Sequence, residues 1–319
     1  MKTGNAENPL LNDRQRTDLI RLCPEIRWNV DMAPYSTFRT GGMVEALVHI
    51  NAIGELATLL YYLHEEQIPW NVVGGGSNIL VSRRYHEGVF IRLRGSVREI
   101  TGRPQVTADG ERYCLRVHAG CNLASLIGWC IRNNLSGLEF MAGIPGSVGG
   151  AIRMNAGAFG HEISEVLLSV QVMNSSGNLE EVAKDRVSFT YRSTCFPGEP
   201  ADKILITGGE FCLQPADGRE VARRCRKIIS SRRESQPKGV RSAGSFFKNP
   251  EGDFAGRLIE QAGLKGLRVG NAMVSVKHAN FIVNTGGAAP DDIIRLMEKV
   301  RRHVLDHSGV LLEPEVHIY

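Results

Sequence analysis

The chain has 319 residues, 42% of them apolar and 23% charged, with a formal net charge of +4 at pH 7. That length accommodates two or three domains, each with its own core, and the composition is that of a globular protein. So small and dispersed a charge excludes nucleic acid as the expected partner but suits an acidic small molecule.

No apolar run approaches the ~18 residues needed to span a bilayer. The N-terminal stretch MKTGNAENPLLNDRQR lacks the apolar core of a signal peptide, so a cytoplasmic protein without a membrane partner is expected. Its seven cysteines, Cys23, Cys114, Cys121, Cys130, Cys195, Cys212 and Cys225, include no C-x-x-C pair. An odd number in that arrangement argues against a disulfide framework and against a metal site, and predicts mostly buried, reduced thiols.

Residues 10–23 predict a short helix closed by Pro24. Residues 46–50 read as a strand and 53–67 as a helix, with Ile53, Leu56, Leu59, Leu60 and Leu63 on one face. Strands at 71–73 and 79–81 flank the run GGGSN. From residue 89 to 118 short alternating runs, such as Val89-Phe90-Ile91-Arg92-Leu93, are separated by turn signals that include Asp109-Gly110. A helix over 123–133 is followed by strands over 166–174, 179–182 and 203–213, with Ser175-Ser176-Gly177 as a hairpin turn. This middle region reads as a mixed, mostly antiparallel sheet. Helices over 219–233, 254–262 and 290–307 dominate the last third, with strands within 274–283. Pro290 lies just inside the last helix, and Asp291 and Asp292 suit its positive end. The pattern divides the chain into residues 1–85, 86–215 and 216–319.

The most informative segment is GIPGSVGGAIRMNAG, residues 143–157, with five glycines and no acid. Glycine at this density lets backbone approach a ligand and present successive N–H groups to it, which suits phosphate. The run GGGSN, residues 74–78, has the same character, and two such loops suggest a dinucleotide held from both ends. Neither fits the G-x-G-x-x-G fingerprint, because GGGSN lies between strands and the longer run leads into alternating sequence. Tight turns remain the alternative for either loop alone.

Three further segments could carry chemistry. In AGSFFKNP, Ser245 has no G-x-S-x-G elbow, so it is not read as a nucleophile. As a proton donor it would need a positioned partner, while Lys248 and Asn249 could bind a phosphate. A turn with two core phenylalanines is the alternative. Glu315 in LEPEV sits among apolar residues that could raise its pKa, or on a surface strand. Arg192 in YRS could equally end a strand in solvent. His303 and His307 lie four apart without an HExxH motif and read as solvated, and His278 could sit near a site. The arginine-rich helix over 219–233 reads as a solvated face whose end could reach an anionic substrate.

Taken in order, TFRTGG, GGGSNIL, GLEFMAGIPGSVGGAIRMNAGA, YRST, AGSFFKNP, GLRVGNAMVSVKHANFIVN and EPEV resemble the UDP-N-acetylenolpyruvoylglucosamine reductase family, over about residues 37–316. The resemblance implies an α+β protein: a vanillyl-alcohol-oxidase/PCMH-type FAD-binding fold over about 37–215, then a C-terminal α+β substrate-binding domain. It implies non-covalent FAD, NADPH as co-substrate, and a UDP-sugar nucleotide reduced to UDP-N-acetylmuramate in peptidoglycan synthesis by a monomer. The flavin would be held by Gly74, Gly75, Gly76, Ser77 and Asn78, and by Gly143, Ile144, Pro145, Gly146, Ser147, Gly149, Gly150, Ala151, Asn155 and Gly157. Ser245 would donate a proton, Arg192 and Glu315 would stabilise an enolate, and Asn249 with Lys248 would contact the substrate. The span from Arg192 to Ser245 is too short for the tyrosine-bearing loop of one branch, so the chain resembles the shorter branch. The tail EVHIY departs from the family's usual arginine and glycine turn.

Overall fold

The computed structural model describes residues 10–94, 99–107, 110–198, 200 and 203–319. The expected turn at Asp109, and the first nine residues, lie outside these. Helix α1 (Asp13–Leu22) starts at Asn12, whose side chain accepts the N–H of Gln15 while Gln15 returns the bond. Strands β1 (Arg27–Asp31) and β2 (Met43–Ile50) pair antiparallel. Helix α2 (Ile53–Glu65) buries Leu56, Leu59, Leu60 and Leu63, the stripe its periodicity predicts. It is the crossover that a parallel connection to β3 (Trp70–Val72) requires. After the short β4 (Ile79–Leu80), β5 (Tyr85–Leu93) inserts between β2 and β3, parallel to both. The expected division at residue 85 therefore moves: Val89-Phe90-Ile91 is a central strand of the first sheet, in register with Ala46, Leu47 and Val48. Its apolar run is buried on both faces, which alternation alone did not reveal.

The second unit is the expected antiparallel sheet. It is built from β6 (Ile100–Thr107) and β7 (Gly110–His118), with helix α3 (Leu123–Arg132) and the short β8 (Leu135–Ser136) following. Helix α4 (Val148–Arg153) and the small hairpin of β9 (Gly157–Ala158) and β10 (His161–Glu162) come next. Then come β11 (Leu167–Asn174), β12 (Leu179–Ala183), the hairpin of β13 (Ser188–Thr190) and β14 (Ser193–Cys195), and β15 (Ile204–Pro215). The strand order is β12-β11-β15-β7-β6, with β8 also on β15. Helix α5 (Gly218–Ser235) sends Val221 and Cys225 into this core beside Leu126 and Cys130. The second unit thus reaches past the expected boundary at residue 215.

The last unit packs α6 (Ala255–Gln261) and α7 (Pro290–Ser308) on a three-stranded sheet of β16 (Arg268–Val269), β17 (Ala272–Val274) and β18 (Ile282–Asn284). Its core is tied to the first unit by Phe38 of TFRTGG, fully buried and edge-on to Phe246 at 6.2 Å. The Asn284 side chain donates to the Phe38 carbonyl at 2.9 Å. Burying one such phenylalanine contributes about 1.5–3 kcal/mol. The tail returns as β19 (His317–Ile318), parallel to β4. All three units therefore meet around residues 74–78.

Candidate active site

The run GGGSN leaves β3 and enters β4 as an irregular loop. Among the described residues, none of the five backbone N–H groups from Gly74 to Asn78 donates to another protein group. Five successive unpartnered donors would be costly without a ligand or water to accept from them. The loop is nevertheless held tightly. Gly76 has φ +69°, and a Cβ there would lie 1.8 Å from the Tyr35 carbonyl oxygen. A Cβ on Gly75 would lie 2.7 Å from Cα of Gly146. Ser77 Oγ donates to the Pro145 carbonyl at 2.9 Å, so the two glycine runs abut.

The second run is not the loop that its composition implied. Its middle is α4, with Ser147 as N-cap, accepting from Gly150 N–H. Val148 N–H donates to the Cys121 carbonyl, Gly149 N–H to Ala119 and Ala151 N–H to Ser147, each at 2.9 Å. Those donors are spent on the protein itself, so the amides of Gly149, Gly150 and Ala151 cannot serve as the expected anion cradle. Asn155, expected at the cofactor, is fully buried with φ +39°. Its amide donates to Glu162 Oε2 at 2.7 Å and to the Thr190 carbonyl at 3.2 Å, and its Oδ1 accepts from Ser164 N–H at 3.3 Å. Through these three bonds its side chain pins two hairpins. Gly157 lies on β9, and its carbonyl accepts from Arg192 at 3.3 Å.

Arg192 occupies the tight turn of the β13–β14 hairpin with φ +58°, a conformation costly for a side-chain-bearing residue. Its Nε donates to Glu315 Oε1 at 2.8 Å, joining residues 123 apart in sequence. Burial pushes the Glu315 carboxyl above its ordinary pKa, and Arg192 and Lys248 partly offset this. Ser245 reaches the same place through backbone pairing. The Phe246 carbonyl accepts Glu315 N–H at 2.8 Å, and Lys248 N–H donates to the Glu313 carbonyl at 2.8 Å. Asn280, from the KHANF segment, brackets Phe247, accepting its N–H at 2.9 Å and donating to its carbonyl at 2.8 Å. The Ser245 hydroxyl itself is half-buried and makes no hydrogen bond among the described residues. His278 supports Asn280 from behind: its Nδ1 accepts from Asn280 N–H at 3.3 Å and its ring packs edge-on against Phe281.

An FAD-binding domain matches residues 44–183, and the C-terminal domain of UDP-N-acetylenolpyruvoylglucosamine reductase matches residues 236–319. A UDP-N-acetylenolpyruvoylglucosamine reductase from Syntrophus aciditrophicus is 37% identical over 97% of each chain. The chain belongs to the UDP-N-acetylenolpyruvoylglucosamine reductase family. Another reductase so named, from Symbiobacterium thermophilum, is 41% identical over 94% of each chain. The crystal structure of the Thermus caldophilus enzyme superposes with TM-score 0.77 at 34% identity, covering 92% of this chain and 99% of that one. The fold is the PCMH-type FAD-binding fold with the reductase C-terminal domain.

The residues present fit the family's flavin. An acid-free loop of unpartnered amides, too crowded for any Cβ at Gly75 or Gly76, suits the FAD diphosphate. On the side of the reductase C-terminal domain, Lys248 Nζ stands 3.5 Å from Glu313. Asn249 Oδ1 accepts Ala255 N–H, the first of α6, at 3.1 Å, which leaves its amide donors for other partners. Tyr191, which sequence reading passed over as a strand end, accepts the Asn249 N–H on its hydroxyl at 3.3 Å and stacks under Arg192 at 4.8 Å. The YRST motif alone gave no reason to connect it with Asn249. The unusual tail keeps its anchorage. Asn78 Nδ2 donates to the Glu315 carbonyl at 3.1 Å, and Ser82 N–H to that of Tyr319 at 2.8 Å. Asn78 therefore also positions the C-terminal segment that carries Glu315, a role its place in a glycine run did not suggest.

Among the described residues no helix is long and apolar enough to cross a membrane, and no group of three or more His, Cys, Asp or Glu side chains is placed to hold a metal.

Proposed function

We propose that Arg192, Glu315 and Ser245 carry the substrate-reducing half of the family's reaction, and that residues 74–78 cradle the FAD diphosphate. The reaction is NADPH-dependent reduction of UDP-N-acetyl-3-O-(1-carboxyvinyl)glucosamine to UDP-N-acetylmuramate, in peptidoglycan synthesis. FAD, when bound, supplies the hydride, having taken it from NADPH.

The chain's residues handle charge and proton. Reduction adds hydride to the outer carbon of the enolpyruvyl double bond, and the electron pair moves onto the inner carbon and its carboxylate. Arg192, oriented by Glu315 and by the Gly157 carbonyl, stabilises that enolate charge. Ser245 then donates its hydroxyl proton to the inner carbon and regains one from solvent. A serine hydroxyl is a very weak acid, but an enolate is a strong base, and the free, half-buried hydroxyl suits this transfer. Asn249 and Lys248 would bind the diphosphate, with Tyr191 holding Asn249 in place. The observation that carries this reading is the Arg192–Glu315 contact at 2.8 Å, which joins the FAD-binding unit to the substrate domain.

The test is transient kinetics on the flavin-loaded protein. Ser245→Ala is expected to leave flavin reduction by NADPH unchanged and to slow reoxidation by the enolpyruvyl sugar nucleotide about 10²–10⁴-fold. Equal loss in both halves would contradict the assigned role. We also assign the enzyme to the cytoplasm, where NADPH and UDP-sugars are made, and expect a monomer of 35.1 kDa in analytical sedimentation.

A further inference from the structure

The arginine-rich helix α5 brings one side chain inward. Arg232, in its last turn, lays its stem across the second glycine run, and a Cβ on Gly143 would lie 3.2 Å from its Cδ. Its guanidinium lies 5.4 Å from the ring of Phe159, at the tip of the β9–β10 hairpin. Arg192 is bonded to the carbonyl of Gly157 on the same hairpin, so both cations share one small region. Burial, and then the charge of Arg192, depress the pKa of Arg232. Its Nε is buried without a hydrogen-bond partner, and it has no acidic partner among the described residues.

The charges of this region do not balance. Arg192 is paired with Glu315, whereas no acidic side chain among the described residues pairs with Arg232, which has only the Phe159 ring and the weak negative end of its own helix nearby. An unpaired, partly buried cation beside another cation is costly unless a ligand supplies the anion. The family's substrate brings a carboxylate of charge −1, which becomes a dianion when hydride adds to the enolpyruvyl group. The Arg192–Glu315 pair has no net charge to set against it.

We propose that Arg232 holds the enolpyruvyl carboxylate and takes up the second negative charge that develops on it, making it a further catalytic residue. The proposal rests on the reading that Arg192 and Glu315 flank that carboxylate.

The experiment uses flavin-loaded Arg232→Met, which keeps an apolar stem over Gly143, and Arg232→Lys, which restores a point charge. Reduction by NADPH is expected within about threefold of wild type, while reoxidation by the enolpyruvyl sugar nucleotide slows about 100-fold in the Met variant and about 10-fold in Lys. Affinity for UDP-N-acetylmuramate, measured by calorimetry on the oxidised protein, should fall about tenfold in the Met variant, since the product keeps the carboxylate. Reoxidation within threefold of wild type in both variants, or equal slowing of both half-reactions, overturns the proposal. If wild-type reduced flavin is itself not reoxidised by the sugar nucleotide, the functional reading falls first, and the two failures are thereby distinguished.

Discussion

Residues 74–78 and residues 143–157 look alike in composition and behave differently. In the first run the backbone donors are left without protein partners while the carbonyls and side chains are tied down: Thr37 N–H donates to the Gly76 carbonyl at 2.9 Å, and Ser77 and Asn78 reach Pro145 and Glu315. In the second run the donors at Val148, Gly149, Gly150 and Ala151 are consumed by Cys121, Ala119 and Ser147. The difference teaches that glycine density does not by itself mark a ligand loop. What matters is whether the surrounding chain supplies the acceptors. In one place glycine leaves successive backbone N–H groups without protein acceptors. In the other it lets a short helix press against a neighbouring turn, where a Cβ on Gly149 would lie 2.8 Å from the Cβ of Ala119.

The sharpest way to break this contrast is Gly76→Ala. An alanine there meets the Tyr35 carbonyl at 1.8 Å and must hold φ +69°, so the loop has to move. FAD affinity, followed by flavin fluorescence on titration, should fall at least about 100-fold, corresponding to ~3 kcal/mol. Retention of flavin at wild-type affinity would mean that the free amides are not its seat.

Asn155→Ala attacks the other run through its internal bonds. Removing three hydrogen bonds from a fully buried side chain at φ +39° should cost about 2–4 kcal/mol of unfolding free energy in urea. Flavin affinity should drop far less than in Gly76→Ala.

Glu315→Gln tests the electrostatics where the runs meet the tail. The folded carboxyl has a pKa above its unfolded value, so between those two values the folded state binds more protons. Its contribution to stability is therefore present at low pH and is lost as pH rises through that window. The stability of Glu315→Gln relative to wild type should accordingly shift in favour of the variant as pH rises above the ordinary carboxylate range. A difference that does not change with pH would contradict the raised pKa.

The smallest expected effect is that of Gly150→Ala. The nearest atom to its Cβ is Ser147 Oγ at 3.6 Å, and the residue is helical, so thermal unfolding should show a gain of about 0.4–1 kcal/mol. Loss of flavin in this variant would show that the second run touches the cofactor after all.

Much of the fold was readable from periodicity. The stripe Leu56, Leu59, Leu60 and Leu63 and the Pro290–Asp291–Asp292 start announced α2 and α7, and the Ser175-Ser176-Gly177 turn announced the β11–β12 hairpin. The position of β5 was not readable, because a strand covered on both faces carries no sign of which sheet it joins. The site was legible as a set of residues through the ordered motifs, but not as roles. Asn155 and Asn78 both sit in glycine runs, and only their partners show that one pins two hairpins and the other holds the segment that carries Glu315.

By itself the sequence determined the local elements, the scarcity of acid in both glycine runs and the residue types that reductase chemistry needs. Those follow from near-neighbour sterics, capping and side-chain chemistry, which act within a few residues. Only the tertiary structure decided which amides remain free, that Arg192 meets Glu315 across 123 residues, and that Arg232 turns inward unpaired. Hydrogen-bond satisfaction and charge balance depend on what the folded chain brings within about 3–4 Å, and no spacing along the chain encodes it.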